Sequence, residues 1–267
     1  MLSRTDDPLE KSDLSQTRDP ALFDALAERA IAIHYQPMIS LETGRVVAAE
    51  ALARWSETGP GADELFTRAR RARLAGPLSR QIQFDALRRA ARWEGPLAHV
   101  GLSLNLLPEE LFEQGFSQTF LAMLSDSGFD PERLTLELVE TQMVTEHPES
   151  ARRLSDLRDA GVRIAVDDFG TGYSSLAYLT SLPIDTLKID RALVEDIVGG
   201  DKARIVLRAM LRLAQELGLR TVVEGVETAA QLDLLCEWGA DCYQGFLGSG
   251  PLDEKALGRF VTFTNRD

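Results

Sequence analysis

The sequence predicts an α/β fold, a modified (β/α)8 TIM-like barrel whose first strand runs antiparallel. Three observations carry this. Short apolar or β-branched runs alternate with longer stretches of helical spacing, the pattern of a sheet covered by helices. The first two runs, Ile31 to Ile39 and Arg45 to Leu52, are parted only by the turn Glu42-Thr43-Gly44, so they pair as a hairpin. Polar residues recur at the ends of the strands, where barrels of this kind carry their chemistry.

Taken in order, residues 1–19 read as a disordered tail and 20–267 as a single barrel domain. Pro20 to Ala30 has helical spacing, with Asp19 as its N-cap and Pro20 at the first position. After the hairpin, Asp63 to Ala75 and Leu78 to Trp93 read as helices, broken at Gly76-Pro77. Val100 to Leu106 is a strand, and Pro108 to Ser125 a helix ending near Gly128. Arg133 to Val139 is a strand, and Pro148 to Ala160 a helix closed by Gly161. Then come strand Arg163 to Val166, helix Ser174 to Thr180 and strand Thr186 to Ile189. Helix Lys202 to Leu217, strand Arg220 to Val223, helix Thr228 to Trp238, strand Asp241 to Phe246 and helix Glu254 to Phe260 complete the alternation.

The chain has 267 residues, enough for one such barrel. Hydrophobic residues make up 44% and charged residues 27%, ordinary values for a globular protein. The net charge of −13 argues against a broad basic face for long nucleic acid. No apolar run approaches the ~20 residues of a membrane span, and the first residues lack a signal-peptide core. Cys236 and Cys242 have no metal-type spacing and read as reduced thiols of a cytoplasmic protein. His34, His99 and His147 form no metal spacing and read as structural or surface residues.

The strand ends carry the chemistry. Glu50 ends the second strand, Asn105 the third, Glu137 the fourth, and Asp167 with Asp168 the fifth. Lys188 lies in the sixth, Glu224 ends the seventh and Gln244 follows the eighth. Strand alternation places Ser103 with Asn105, Thr135 with Glu137, Ala165 with Asp167, Thr186 with Lys188 and Val222 with Glu224. That set faces the barrel axis and converges on one mouth. A lone Asp at a strand end can simply point into water. Several carboxylates at one mouth repel one another and call for cations. Glu50, Asn105, Glu137 and Asp167 offer four oxygen ligands for one octahedral ion, and Asp167 can bridge to a second ion held by Asp168. Two such ions suit in-line hydrolysis of a phosphodiester. Lys188 can position the attacking water, and Glu224 can act as a general base or a further ligand.

With these residues in place, the sequence resembles the EAL-domain family of cyclic-di-GMP phosphodiesterases. The matches are Glu50-Ala51-Leu52 with Arg54 and Trp55, Tyr35-Gln36-Pro37, LSLNL around Asn105, and LELVE from Leu136 to Glu140. DDFGTGYSSL from Asp167 to Leu176, LKID from Leu187 to Asp190, VVEGVET from Val222 to Thr228 and QGF from Gln244 to Phe246 continue the series. The resemblance implies hydrolysis of cyclic di-GMP to linear pGpG with two Mg²⁺ or Mn²⁺ ions. It implies Glu50, Asn105, Glu137 and Asp167 as ligands of the first ion, and Asp167, Asp168 and Glu224 as ligands of the second. Lys188 would position the water and Glu224 would activate it. Gln36, Leu52, Arg54, Asp168 and Gln244 would hold the substrate. The loop Phe169, Gly170, Thr171, Gly172, Tyr173, Ser174 and Ser175, held through Glu140, would link the ions to a homodimer interface that includes the helix after the fifth strand. Glu227 would support the ligands from behind.

The chain departs from the family pattern at two places. Leu65 to Arg70 replaces a Phe-Ile-Pro run followed by Ala-Glu, leaving Arg68, Arg70, Arg71 and Arg73 as a basic cluster. The segment after Gln244-Gly245 reads Phe246-Leu247-Gly248-Ser249-Gly250-Pro251 in place of a more aromatic ending. No metal-site position departs. The alternative function is a catalytically silent cyclic-di-GMP receptor acting through a protein partner; such proteins lack one or more of the positions present here.

Overall fold

The computed structural model describes residues 19–55, 61–139, 148–170 and 177–266. The tail 1–18, Glu140 and the loop positions Thr171, Gly172, Tyr173, Ser174 and Ser175 lie outside the described residues. Helix α1 spans Pro20–Ala27, β1 Ala32–Ser40 and β2 Val46–Arg54. Helices α2 (Ala62–Ala72) and α3 (Ala75–Ala90) precede β3 (Gly101–Leu106). Then follow α4 (Pro108–Phe112), α5 (Phe116–Ser127), β4 (Leu134–Val139), α6 (Pro148–Asp159) and β5 (Arg163–Phe169). Last are α7 (Ala177–Ser181), β6 (Thr186–Ile189), α8 (Asp201–Glu216), β7 (Arg220–Val223), α9 (Ala229–Glu237), β8 (Cys242–Tyr243) and α10 (Glu254–Thr264).

The strands close into one barrel in sequence order, β1 to β8. β1 pairs antiparallel with both β2 and β8, and the other neighbours are parallel. Register sets the height of each polar residue. Gln36 lies opposite Glu50, Asn105 opposite Glu137, and Asp167 opposite Val139. The outer faces of the strands pack on the helices: Leu102, Leu104 and Leu106 of β3 are buried, as are Leu134, Leu136 and Leu138 of β4.

Four local details differ from the sequence expectation. Gly76-Pro77 does not separate α2 from α3. The break falls at Arg73, which adopts a left-handed φ of 61° as the C-cap of α2. Pro77 is the third residue of α3, where the helix has no acceptor for an amide proton in any case. The single helix expected over Pro108 to Ser125 is two, because Gly115 turns left-handed with φ 75° between them. β5 runs on to Phe169, which pairs with Ile189 after a register shift. The two adjacent aspartates therefore sit inside an irregular strand end, and Asp168 has φ 55°. A non-glycine residue in that region is uncommon and points to a constrained site. At the other extreme β8 is only Cys242–Tyr243, shorter than expected.

Candidate active site

The ammonium of Lys188 is the centre of the mouth. It is 1% exposed and has four carboxylates around it. Its Nζ lies 2.7 Å from Glu224, 2.8 Å from Glu137, 3.1 Å from Asp167 and 3.4 Å from Glu50. Five different strands or strand ends thus converge on one atom, as the alternation predicts. Three ammonium protons cannot satisfy four carboxylates. The group is short of positive charge.

Hydrogen bonds orient the ring. Asn105 Nδ2 donates to Glu50 Oε1 at 2.8 Å, and Gln244 Nε2 donates to Glu50 Oε2 at 2.8 Å. The amide N–H of Asp168 donates to Asp167 Oδ1 at 3.0 Å. Burial opposes the charge on Glu50, but Lys188 and the donors Gln244 and Asn105 prevail and hold its pKa below the usual carboxylate value. The others go up. Burial and then the Glu50 charge push Glu137 well up, against Lys188. Burial raises Asp167, with Glu50 adding to it. Burial, Asp167, Asp190 and Asp63 bring Asp168 to about 6. Burial, Asp167 and Glu50 bring Glu224 to about 8 despite Lys188. Burial would lower the pKa of Lys188, yet the four carboxylates around it raise it well above the usual lysine value.

Two sets of carboxylates fit a divalent ion. Ligand atoms of Glu50, Glu137 and Asp167 lie within 4.8 Å of one another, as do those of Asp167, Asp168 and Glu224. Asp167 belongs to both. Glu137 Oε1 and Gln244 Oε1 are buried without a hydrogen-bond partner. A buried carboxylate oxygen and a buried amide oxygen with no donor, in a cluster short of positive charge, suit a hard cation with oxygen ligands. Asn105, half-buried beside Glu50, can add its amide oxygen.

Above this ring opens a cleft of about 670 Å³. Gln36, Glu50, Leu52, Asn105, Asp167, Asp168, Glu224 and Gln244 all line it. Gln36 also donates weakly to the carbonyl of Ser249, at 3.4 Å. Arg54 does not line the cleft; its guanidinium donates to the carbonyl of Ala53 at 2.8 Å. Glu227 stands outside the ring, its amide donating to Gln231 at 2.9 Å. Phe169 is buried in an apolar cluster with Val166, Leu179 and Leu187.

Residues that strand reasoning did not reach also shape the site. Gln83 on α3 donates to the carbonyl of Asn105 at 3.2 Å and to Glu110 at 3.2 Å. Glu110 in turn accepts from Ser79 and from the amide of Leu107. This buried network fixes the end of β3 from behind. Its signal in the sequence is Ser79 and Gln83, polar residues one turn apart on a helix face that is otherwise apolar. Asp63, Phe66, Thr67 and Arg70 of α2, with Asp190 and Arg191 after β6, form the outer walls.

A closed α/β barrel with an antiparallel first strand and an acidic mouth defines a class of site with carboxylates placed to hold divalent ions. The sequence model of the EAL domain matches residues 19–251, and the chain belongs to the EAL-domain family. It is similar to cyclic di-GMP phosphodiesterase PA2567 of Pseudomonas aeruginosa, 33% identical over 248 residues, covering 90% of this chain and 42% of that one. It is also similar to cyclic di-GMP phosphodiesterase NbdA of the same organism, 36% identical over 247 residues, covering 90% and 31%. The solved structure of the PaMucR phosphodiesterase in complex with c-di-GMP superposes with a TM-score of 0.82 at 32% identity, covering 88% of this chain and 97% of that one. The chain spans less than half the length of curated relatives it matches, 28% of one and 46% of another. Among the described residues, no helix is long and apolar enough to cross a membrane.

Proposed function

We propose that this chain hydrolyses cyclic di-GMP to linear pGpG. The observation that supports it most is the Lys188-centred ring of carboxylates, with two overlapping sets of ligand atoms at the foot of a dinucleotide-sized cleft. Two Mg²⁺ or Mn²⁺ ions bound there would polarise the phosphoryl oxygens and lower the pKa of water. Glu50, Asn105, Glu137 and Asp167 would hold the first ion, and Asp167, Asp168 and Glu224 would hold the second. Glu224 accepts the proton of the attacking water. Lys188, 2.7 Å from Glu224, orients that carboxylate and offsets charge developing on the phosphate. The water oxygen bonds to phosphorus, one P–O ester bond breaks, and the leaving sugar oxygen takes up a proton. Gln36 and Leu52 hold the dinucleotide, and Arg54 reaches it by releasing Ala53. Gln244 keeps Glu50 turned to its ligands.

A homodimer through the segment after β5 and α7 belongs to the same reading. Leu179 of α7 shares a cluster with Ala214 of α8, and the same helix leaves Ile205 and Val206 exposed. Two free cysteines suit a reducing compartment such as the cytoplasm.

The test is turnover by purified chain with Mg²⁺ or Mn²⁺, products separated by chromatography. Linear pGpG is expected, and Glu224→Gln should lower kcat by at least ~10²-fold, the worth of a general base. Binding without product would replace this reading with that of a silent receptor. Neither binding nor product would refute both.

A further inference from the structure

Helix α2 lies across the mouth with one stripe toward the cleft. Asp63, Phe66, Thr67 and Arg70 are spaced i, i+3, i+4 and i+7, and all four line it. Leu65, Ala69 and Ala72 take the opposite, buried face. The stripe has two ends. Asp63 stands at the acidic end, near enough to Asp168 to oppose its ionisation. Arg70 lies seven residues on, ~10 Å along the helix axis, 3.9 Å from Glu109, the residue after Pro108.

The neighbouring arginines are otherwise engaged. Arg68 pairs with Asp19 and lies over the Trp55 ring, 4.4 Å from its centroid. Arg54 donates to Ala53. Among the described lining residues, Arg70 and Arg191 supply the guanidinium groups of a cleft that is otherwise acidic. The contact of Arg70 with Glu109 is 3.9 Å between two half-exposed side chains, too long for a hydrogen bond and easily exchanged.

We propose that Arg70 is a specificity-determining residue that donates its paired N–H groups to the O6 and N7 acceptors of one guanine of the bound dinucleotide. The inference rests on the cyclic di-GMP reading above. The fork of a guanidinium matches that edge of guanine in two parallel hydrogen bonds. Adenine presents an amino donor where guanine presents O6, so it is turned away. A base fits this end of the cleft better than a phosphate does. Phe66, Leu107 and Pro108 provide apolar surfaces on which a ring plane can lie, whereas the phosphate is drawn to the ion ligands at the other end.

The experiment compares wild type, Arg70→Ala and Arg70→Lys on cyclic di-GMP and cyclic di-AMP, reading KM, kcat and the dissociation constant. Arg70→Ala should raise KM for cyclic di-GMP about tenfold with kcat within about twofold, as expected for one lost bidentate base contact. The preference for guanine over adenine should fall by a similar factor. Arg70→Lys, which keeps the charge but not the fork, should restore only part of it. Equal losses on both dinucleotides, or a KM change below about twofold, would overturn the assignment. If wild type binds but does not turn over, the same ratios are read from dissociation constants. If wild type neither binds nor hydrolyses cyclic di-GMP, the substrate reading has failed and this inference fails with it. Because Arg70 is half-exposed on a surface helix, melting temperatures of the variants should match wild type and exclude misfolding as a cause.

Discussion

Lys188 Nζ and Glu224 Oε1 are 2.7 Å apart, although Lys188 comes from the interior of β6 and Glu224 from just beyond β7. The contact joins the most buried cation of the barrel to the carboxylate proposed as its base. Lys188 opposes the raised pKa of Glu224, and three other acids share the same ammonium.

Replacing that ammonium tests the charge balance. Lys188→Met leaves Glu50, Glu137, Asp167 and Glu224 facing one another with no cation among them. Without divalent ions the variant should lose ~3–5 kcal/mol, the cost of breaking a buried pair from one side. Mn²⁺ should recover part of that loss by occupying the same carboxylates, and should stabilise wild type as well. Calorimetry with and without chelator checks both. An ion effect that is absent from wild type would remove the argument for ions here.

Gly245 tests the support of Gln244. A Cβ at this position would lie 2.2 Å from the carbonyl oxygen of Val226 and 2.4 Å from its amide nitrogen. Backbone cannot yield as a side chain does. Gly245→Ala should cost ~1–3 kcal/mol as overpacking and shift Gln244 off Glu50. Denaturant melts and turnover should both fall. Gly199→Ala, at an exposed turn position with open space around its Cβ, is the neutral control.

Asp19 carries a pH-dependent contribution. It caps α1 by accepting from the amide of Leu22, and it binds Arg68 through both oxygens at 2.5 and 2.9 Å. The Arg68 hydrogen bond holds its pKa below the ordinary 3.8, against the smaller opposing effect of burial. A depressed carboxylate pKa stabilises above the unfolded value and ceases to do so as pH falls through the folded one. Asp19→Ala should therefore cost ~1 kcal/mol at neutral pH, in the usual range of a lost N-cap. The gap between wild type and variant should close on acidification below 3.8. Urea melts across that range decide it, and a gap that does not change with pH would assign the effect to helix propensity.

The two thiols should differ in reactivity. Cys236 is exposed, while Cys242 is buried against the barrel axis, and burial lifts its pKa to about 11. Iodoacetamide near pH 8 should modify Cys236 alone, and both only after unfolding. Peptide mass mapping reads the outcome directly.

Much of this was legible in the chain itself. Strand alternation put Asn105, Glu137, Asp167 and Lys188 on the axis face, and the short hairpin turn made β1 antiparallel. Both follow from the two-residue period of a strand, which is local. The sequence could not show that one ammonium serves four carboxylates, because that depends on strand register around a closed barrel. Nor could it show that Arg54 turns back to its own backbone while Arg70 faces the cleft. Helix spacing alone gives Arg68 and Arg70 equal standing. The packing of α2 across the mouth, the Asp19 cap and the Trp55 ring separate them, and those contacts join residues far apart in sequence. Local chemistry set the element types and the ligand kinds. Closure of the barrel decided which charges meet, how far each pKa moves, and which of the arginines line the cleft.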